Sequence, residues 1–265
     1  MATAHTIVPS ELIEKKITDI VNSKLDVHPL MTVDTSLTTA AGLKKVIHKY
    51  TYTGKVEQLA KGAKNTTKGK VAAVKTEYEV KRYQQTYDYN DMDYMADPDV
   101  LDVLADGAAK TMANEIRTEY FAELAKISHT TTVNGALTYA AIVDALQTIG
   151  VEAEDGLFIV MGADGKADIR KDADFIASRQ GEILYSGQFG TIAGVPCVFS
   201  KLVPAKTVYL TKQSAVKFFV KNAGTVEQDK DIETKDNTVV YERHGFMALV
   251  DDTESAKITF GATAA

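Results

Sequence analysis

Polar and apolar residues tend to alternate in two stretches near the N-terminal third of the chain, from Val46 to Thr53 and from Val71 to Tyr89. Such a period of two predicts β-strands. Residues 54–70, between them, are polar and contain three glycines and five lysines. We therefore predict a two-stranded hairpin, roughly 35–60 Å long at about 3.3 Å per residue. An isolated hairpin is only marginally stable in water, so we expect a neighbouring subunit to supply a second surface.

A helical spacing of apolar residues follows the hairpin and continues from Leu101 to Ile127. The pair Asp97-Pro98 is typical of a helix start, because Asp is a good N-cap and Pro is tolerated at the first helical position. A helix of about thirty residues is roughly 45 Å long at 1.5 Å per residue. This length predicts the backbone of a flat, elongated domain.

The remaining pattern is mixed. An amphipathic helix is predicted over residues 10–25 and an extended connector over 26–42, and residues 128–135 read as a linker. Beyond the linker, strands and helices alternate around continuous apolar runs, which predicts a buried central sheet and an α+β fold. The predicted helices are 138–149 and 164–177, and the predicted strands or apolar segments are 157–161, 195–200, 208–211, 215–220, 239–250 and 257–260.

Charge is distributed unevenly. Residues 44–90 carry ten lysines and one arginine against four carboxylates, a net charge of +7, so the remainder carries −13 of the total of −6. Directly after the hairpin comes an acidic run without lysine or arginine: Asp88, Asp91, Asp93, Asp97, Asp99, Asp102 and Asp106. The basic segment is a solvated surface, a grip on nucleic acid, or a contact with the acidic body of a neighbour. The last is favoured over nucleic acid, since a head-to-tail contact between copies propagates into rings or closed shells.

Signatures of catalysis are missing from the sequence. The five histidines are scattered without metal-ligand spacing, and neither a phosphate-binding loop nor a nucleophile elbow occurs. The single cysteine, Cys197, excludes an intrachain disulfide. The N-terminus lacks the features of a signal peptide, and no apolar run is long enough to cross a bilayer. We expect a soluble protein made in the cytoplasm, with no enzyme activity, cofactor or metal.

The order of elements resembles the major capsid protein of tailed bacteriophages, the Hong Kong ninety-seven fold. Local stretches look alike too, above all Gly190-Thr-Ile-Ala-Gly-Val-Pro196 feeding a strand, with Phe175–Gly181, Val198–Ser200 and Val226–Asp231. The resemblance implies an N-terminal arm (1–43), a hairpin called the E-loop (44–90), a discontinuous P-domain with a long spine helix (91–132 and 226–265) and an α/β A-domain (133–225).

The same resemblance implies a structural function. Subunits would form hexamers and pentamers that close an icosahedral phage head around double-stranded DNA, without sequence-specific binding. Expected partners are a separate scaffolding protein, a portal and decoration proteins. Because only about forty residues precede the hairpin, a long N-terminal scaffolding segment is not expected. An encapsulin-like compartment that encloses enzymes, and an α/β enzyme or nucleic-acid-binding domain, remain as alternatives.

Two sets of residues are predicted to meet across the subunit interface. The basic set lies at the tip of the hairpin: Lys55, Lys61, Lys64, Lys68 and Lys70. The acidic set lies at the start of the spine helix of a neighbour: Asp91, Asp93, Asp97, Asp99 and Asp102.

Overall fold

The structure is a computed structural model that describes residues 15, 17, 30–97, 99–150, 156–178 and 190–262. In these residues the strands are β1 Thr32–Asp34, β2 Lys44–Thr53, β3 Lys70–Glu79, β4 Lys81–Asn90, β5 Thr130–Asn134, β6 Leu157–Met161, β7 Thr191–Ile192, β8 Val195–Phe199, β9 Thr207–Lys212, β10 Val216–Lys230, β11 Asp236–Leu249 and β12 Ala256–Ala262. The helices are α1 Asp91–Ala96, α2 Val100–Leu124, α3 Tyr139–Ile149, α4 Ala163–Lys171 and α5 Ala173–Ser178.

The predicted N-terminal helix, residues 10–25, lies outside the described residues except for Lys15 and Ile17. Both of these are helical, and Ile17 is buried.

A four-stranded sheet in the order β1-β10-β11-β4 forms the centre of one half of the molecule. Side chains alternate between its two faces, as a strand requires. Val239, Tyr241 and Met247 of β11 belong to a core shared with the spine helix α2. Phe246 and Ala248, on either side of Met247 in β11, belong to a separate cluster on the other face. The sheet therefore separates the spine helix from whatever covers its second face.

The spine helix buries four alanines together with six larger apolar or aromatic residues. Its buried residues are Leu101, Ala105, Ala108, Ala109, Met112, Ala113, Ile116, Tyr120, Phe121 and Leu124. Their spacing is the three-four rhythm read from the sequence, and the alanines allow helix and sheet to approach closely. At 25 residues the helix is about 38 Å long, somewhat shorter than predicted. Asp97 still serves the turn before it, since its Oδ1 accepts a hydrogen bond from the backbone N–H of Asp99 at 3.0 Å.

A second sheet, of six strands in the order β5-β12-β9-β6-β8-β7, forms the other half. Its central strand β6 is buried along its whole length. Leu157, Ile159 and Met161 pack with α3, α4 and α5, while Phe158 and Val160 belong to the core that contains the spine helix. Burial on both faces explains why this strand is a continuous apolar run.

The structure differs from the sequence-based prediction at four places. The strand predicted from Val71 to Tyr89 is two strands, because β4 leaves the hairpin and pairs with β11 in the four-stranded sheet. The predicted linker 128–135 contains β5, which pairs in parallel with β12. The helix predicted over 164–177 is interrupted at Asp172.

The fourth difference concerns the domain division. Strand β12, predicted as part of the P-domain, belongs to the six-stranded sheet, because Ala256, Ile258 and Phe260 are buried in its core. Strand β10 of the four-stranded sheet begins at Val216 rather than near residue 226. The boundaries of the domains otherwise stay a prediction.

Arg243 of β11 is buried between the sheet and the spine helix. It is 4% exposed, and its Nε and Nη1 have no hydrogen-bond partner. Its guanidinium lies over the ring of Phe218, 5.0 Å from the centroid, and burial lowers its pKa. A buried charge without a carboxylate partner is costly.

Replacing this charge by an apolar side chain of similar length is expected to stabilise the unassembled subunit. Arg243→Met should raise the free energy of unfolding by about 1–3 kcal/mol, because it removes the desolvation cost and keeps the packing. Urea denaturation of the unassembled protein measures this change. Arg82→Met is the control, and it should lower the free energy of unfolding, since exposed Arg82 pairs with Glu242 at 2.6 Å. A loss of stability in Arg243→Met would contradict the argument.

Candidate functional site

The base of the hairpin packs on the free face of the four-stranded sheet. Ile47 is buried there with Phe219 and Phe246, and the ring of Tyr78 stacks on Phe246 with centroids 5.4 Å apart. These contacts form a third layer, opposite the spine helix. Beyond the base, the hairpin has no comparable cover: Tyr50 and Tyr52 are 68% and 70% exposed. The base of the hairpin is thus covered by its own chain, and cover by a neighbouring subunit stays a prediction for the outer part.

Lysines near the base hold the hairpin to its own chain. Lys49 donates a hydrogen bond to Oδ1 of Asp252 at 3.1 Å, and the pair is partly shielded from solvent. Lys45 lies 3.9 Å from the centroid of the Phe219 ring and 3.8 Å from the carboxylate of Asp34. Part of the positive charge read from the sequence is thus used within the subunit.

Asp252 joins three parts of the fold. It lies in the turn between β11 and β12, and accepts hydrogen bonds from Lys49 of the hairpin and from the backbone N–H of Ser128. Burial alone would raise its pKa, but the hydrogen bonds and the charge of Lys49 outweigh burial, so the pKa lies below its ordinary value. No sequence pattern indicates this pair, because 203 residues separate Lys49 from Asp252.

The loop between β2 and β3 carries the predicted basic set. Lys55, Lys61, Lys64 and Lys68 are exposed there, and Lys70 is exposed at the start of β3. The two halves of the loop are tied together by Glu57, whose carboxylate accepts hydrogen bonds from the N–H of Thr66 at 3.0 Å and from both the Thr66 and the Thr67 hydroxyls. These bonds lower the pKa of Glu57. The lysines therefore extend from a loop with a defined shape.

The predicted acidic set does not act as one group. Asp91 is largely used within the subunit, since it pairs with Lys230 at 2.6 Å and accepts a hydrogen bond from Asn237 at 2.8 Å. Asp97 supports the turn before the spine helix. Asp93, Asp97, Asp99 and Asp102 are all exposed. The structure thus leaves four of the five carboxylates accessible to a partner.

Two kinds of feature are absent from the described part of the chain. Within it, no three His, Cys, Asp or Glu side chains are grouped so that they could hold a metal ion. None of its helices has the length and apolarity needed to span a bilayer.

Breaking the pair at the hairpin base should loosen the hairpin without unfolding the sheet. Lys49→Met removes the partner of Asp252 and should cost about 1 kcal/mol of stability, since the pair is only partly shielded. It should also raise deuterium uptake at the backbone amides of residues 44–53. Lys75→Met is the matched control, because Lys75 lies in the same hairpin on the opposite face and is exposed.

The loss of stability in Lys49→Met should depend on pH, and should be smaller in acid. The folded-state pKa of Asp252 is depressed, so its contribution is present above the ordinary pKa of about 3.9 and is lost as pH falls through the lower folded value. The difference between Lys49→Met and the wild type should therefore be full at pH 6 and shrink in acid. A difference that is unchanged down to pH 2 would show that Asp252 is not the group involved.

Comparison with known proteins identifies the fold. The model of a family described as phage capsid protein matches residues 73–258. Similar solved structures include the capsid of cyanophage P-SCSP1u (TM-score 0.71, 12% identity, 89% of this chain and 87% of that one). The capsid of a native GTA particle has a TM-score of 0.71 at 12% identity over 91% of each chain. No curated protein matches the chain in sequence.

A virus-like particle from Pyrococcus furiosus is also similar, with a TM-score of 0.65 at 11% identity over 95% of this chain and all of that one. At such low identities these likenesses establish the fold alone. They confirm the α+β, Hong Kong ninety-seven-type architecture predicted from the sequence, with its hairpin, its long helix and its α/β half. The family match extends over more than two thirds of the chain, from the hairpin to the last strand. The chain belongs to the phage capsid protein family.

Proposed function

We propose that this protein is the structural subunit of an icosahedral phage head, assembling as hexamers and pentamers around double-stranded DNA. The observation that carries the proposal is the hairpin. Its base is fixed to its own sheet, and its outer part extends into solvent with large apolar side chains exposed. Such a segment is stable only when another surface covers it. In a protein of a capsid family, the natural surface is a second copy.

In the proposed contact, the loop between β2 and β3 of one subunit lies on the acidic start of the spine helix of the next subunit. We call this loop, residues 54–69, the lysine loop. Lys55, Lys61, Lys64, Lys68 and Lys70 would then face Asp93, Asp97, Asp99 and Asp102. Asp91 has a smaller part, because Lys230 and Asn237 already occupy it. The two surfaces lie on different parts of the chain, so the contact is head-to-tail, and such contacts generate rings and shells.

The net negative charge outside the hairpin suits a container for DNA. A strongly basic inner wall would bind phosphate tightly and oppose both packing and release. We propose that the subunit is made in the host cytoplasm, becomes part of the virion, and assembles with a separate scaffolding protein and a portal, with decoration proteins as further partners.

A cargo compartment is the second candidate. The virus-like particle from Pyrococcus furiosus is matched over the whole length of its subunit, so this fold and chain length also suit a virus-like particle. Nucleic acid within particles isolated from the native source supports the phage head, and a packaged enzyme supports the compartment. The family match favours the phage head.

The first test is electron microscopy of the purified protein, with and without a candidate scaffolding protein. Closed shells or ring-shaped capsomers are expected. A protein that stays monomeric at every concentration and binds DNA in a salt-sensitive manner would instead indicate a nucleic-acid-binding domain.

Reversing the charge of the loop should block assembly without unfolding the subunit. The triple change Lys61→Glu, Lys64→Glu and Lys68→Glu places like charges against the aspartates of the neighbour, and we expect at least a tenfold lower yield of particles in sedimentation. The three residues are exposed, so thermal unfolding of the monomer should be nearly unchanged. The same three positions changed to Arg provide the control. Normal particles from the Glu variant would exclude the proposed contact.

A further inference from the structure

The two faces of the hairpin carry different side chains and have different surroundings. Residues paired across the strands share a face, so Ile47, Lys49 and Tyr78 mark the face that contacts the four-stranded sheet. The opposite face carries the charged residues Lys44, Lys75, Glu77 and Glu79 nearer the base, together with five apolar or aromatic residues, Val46, Tyr50, Tyr52, Ala73 and Val71. We call these five residues the outward face. It points away from the sheet on which the hairpin lies.

The outward face is apolar and exposed. Val46 is 46% exposed, and Val71 is 65% exposed. His48 lies between Val46 and Tyr50 on the same face, and its ring stacks on that of Tyr50 with centroids 5.8 Å apart. A row of large apolar side chains without cover is typical of a contact surface rather than of a free one.

Two glycines leave room for the Tyr52 ring at the end of this row. A Cβ atom added at either Gly54 or Gly69 would overlap the Tyr52 ring. The ring therefore lies across the backbone where β2 ends and β3 begins, and any larger residue at these two positions would displace it. Tyr52 stays 70% exposed in this arrangement. A large exposed aromatic ring is the type of side chain that anchors interfaces.

The same chain presents a surface that matches this face. Met92 and Met95 of α1 are 76% and 60% exposed and lie one helical turn apart, so they share a side of the helix. Exposed Asp93 and Asp97 lie next to them in the chain. We call Met92 and Met95 the methionine patch. Methionine adapts its shape to a partner and makes favourable contacts with aromatic rings.

We propose that the outward face of one subunit docks on the methionine patch of a second copy, with Tyr50 and Tyr52 against Met92 and Met95. Charge complementarity selects the second copy as occupant. The apolar row continues into a loop with four exposed lysines, and the methionine patch continues into the aspartates before the spine helix. This arrangement gives an apolar centre with a charged rim, as in stable interfaces. It rests on the proposed function and identifies the residues at the centre of that contact.

Matched substitutions on the two faces test the proposal. The outward variant is Tyr52→Ser with Val71→Thr, and the control is Thr51→Ser with Val74→Thr on the other face. Val74 is 61% exposed, close to the value for Val71, and Thr keeps the β-branching that favours strands. We expect the outward variant to raise the protein concentration needed for assembly about tenfold or more, whereas the control shifts it less than about twofold. Equal effects of the two variants would overturn the proposal.

Cross-linking tests the contact itself. In a Cys197→Ser background, which removes the only cysteine, Tyr52→Cys with Met95→Cys should be joined between subunits by a short bis-maleimide, giving a ladder of multimers. Val74→Cys with Met95→Cys should give little product. Circular dichroism of the unassembled variants confirms that they are folded.

The outcomes separate this inference from the proposed function. Particles of the wild type, together with an absent ladder and unimpaired assembly of the outward variant, would overturn the docking on the methionine patch alone. A wild-type protein that never assembles would overturn both.

Discussion

The constraint on which this structure depends is the limited cover that the chain can give to its own hairpin. The four-stranded sheet has two faces, and the spine helix takes one of them. Ile47 and Tyr78 at the hairpin base cover Phe219 and Phe246 on the other face. Each strand has ten residues and is about 33 Å long, and the part of β2 beyond Lys49 extends past these contacts. The outer part of the hairpin can therefore be covered only by a surface outside its own subunit.

The lysines of the hairpin also differ between its base and its tip. Near the base, Lys45 and Lys49 are paired with groups of their own chain and fix the direction of the hairpin. At the tip, Lys61, Lys64 and Lys68 are exposed on a loop that Glu57 ties together. A rigid base and an exposed basic tip make a segment that is already arranged for a partner. In the contact that we propose, opposite charges on the two surfaces would speed correct encounters and disfavour wrong ones, while apolar contact at the centre would supply most of the affinity.

The sequence predicted the larger elements well. The hairpin strands and the long helix were found because their periods of two and about 3.6 continue over many residues. The break at Val80 has only a short signature, the two polar residues Lys81 and Arg82, after which the aromatic positions pass from even to odd numbers. The threonine-rich edge strand β5 lacks an apolar run, so its sequence is typical of a linker. Long-range pairs such as Lys49 with Asp252 have no signature in a single sequence.

Of the candidate site, the sequence indicated the charges but not the apolar surface. The lysines at the tip and the aspartates after the hairpin are visible as runs. The role of Asp91 was not, because Lys230 and Asn237 reach it from a distant strand. Only the structure separates the face of the hairpin that contacts the sheet from the outward face. The placement of Tyr52 over Gly54 and Gly69 depends on the registration of the two strands.

The most direct measurement of the central claim is a cryo-electron microscopy map of assembled particles in which side chains are resolved. The account predicts that the loop at residues 54–69 lies on the acidic start of the spine helix of a neighbouring subunit, with the hairpin base still on its own sheet. A hairpin folded back on its own subunit, or one directed into the particle towards nucleic acid, would contradict it.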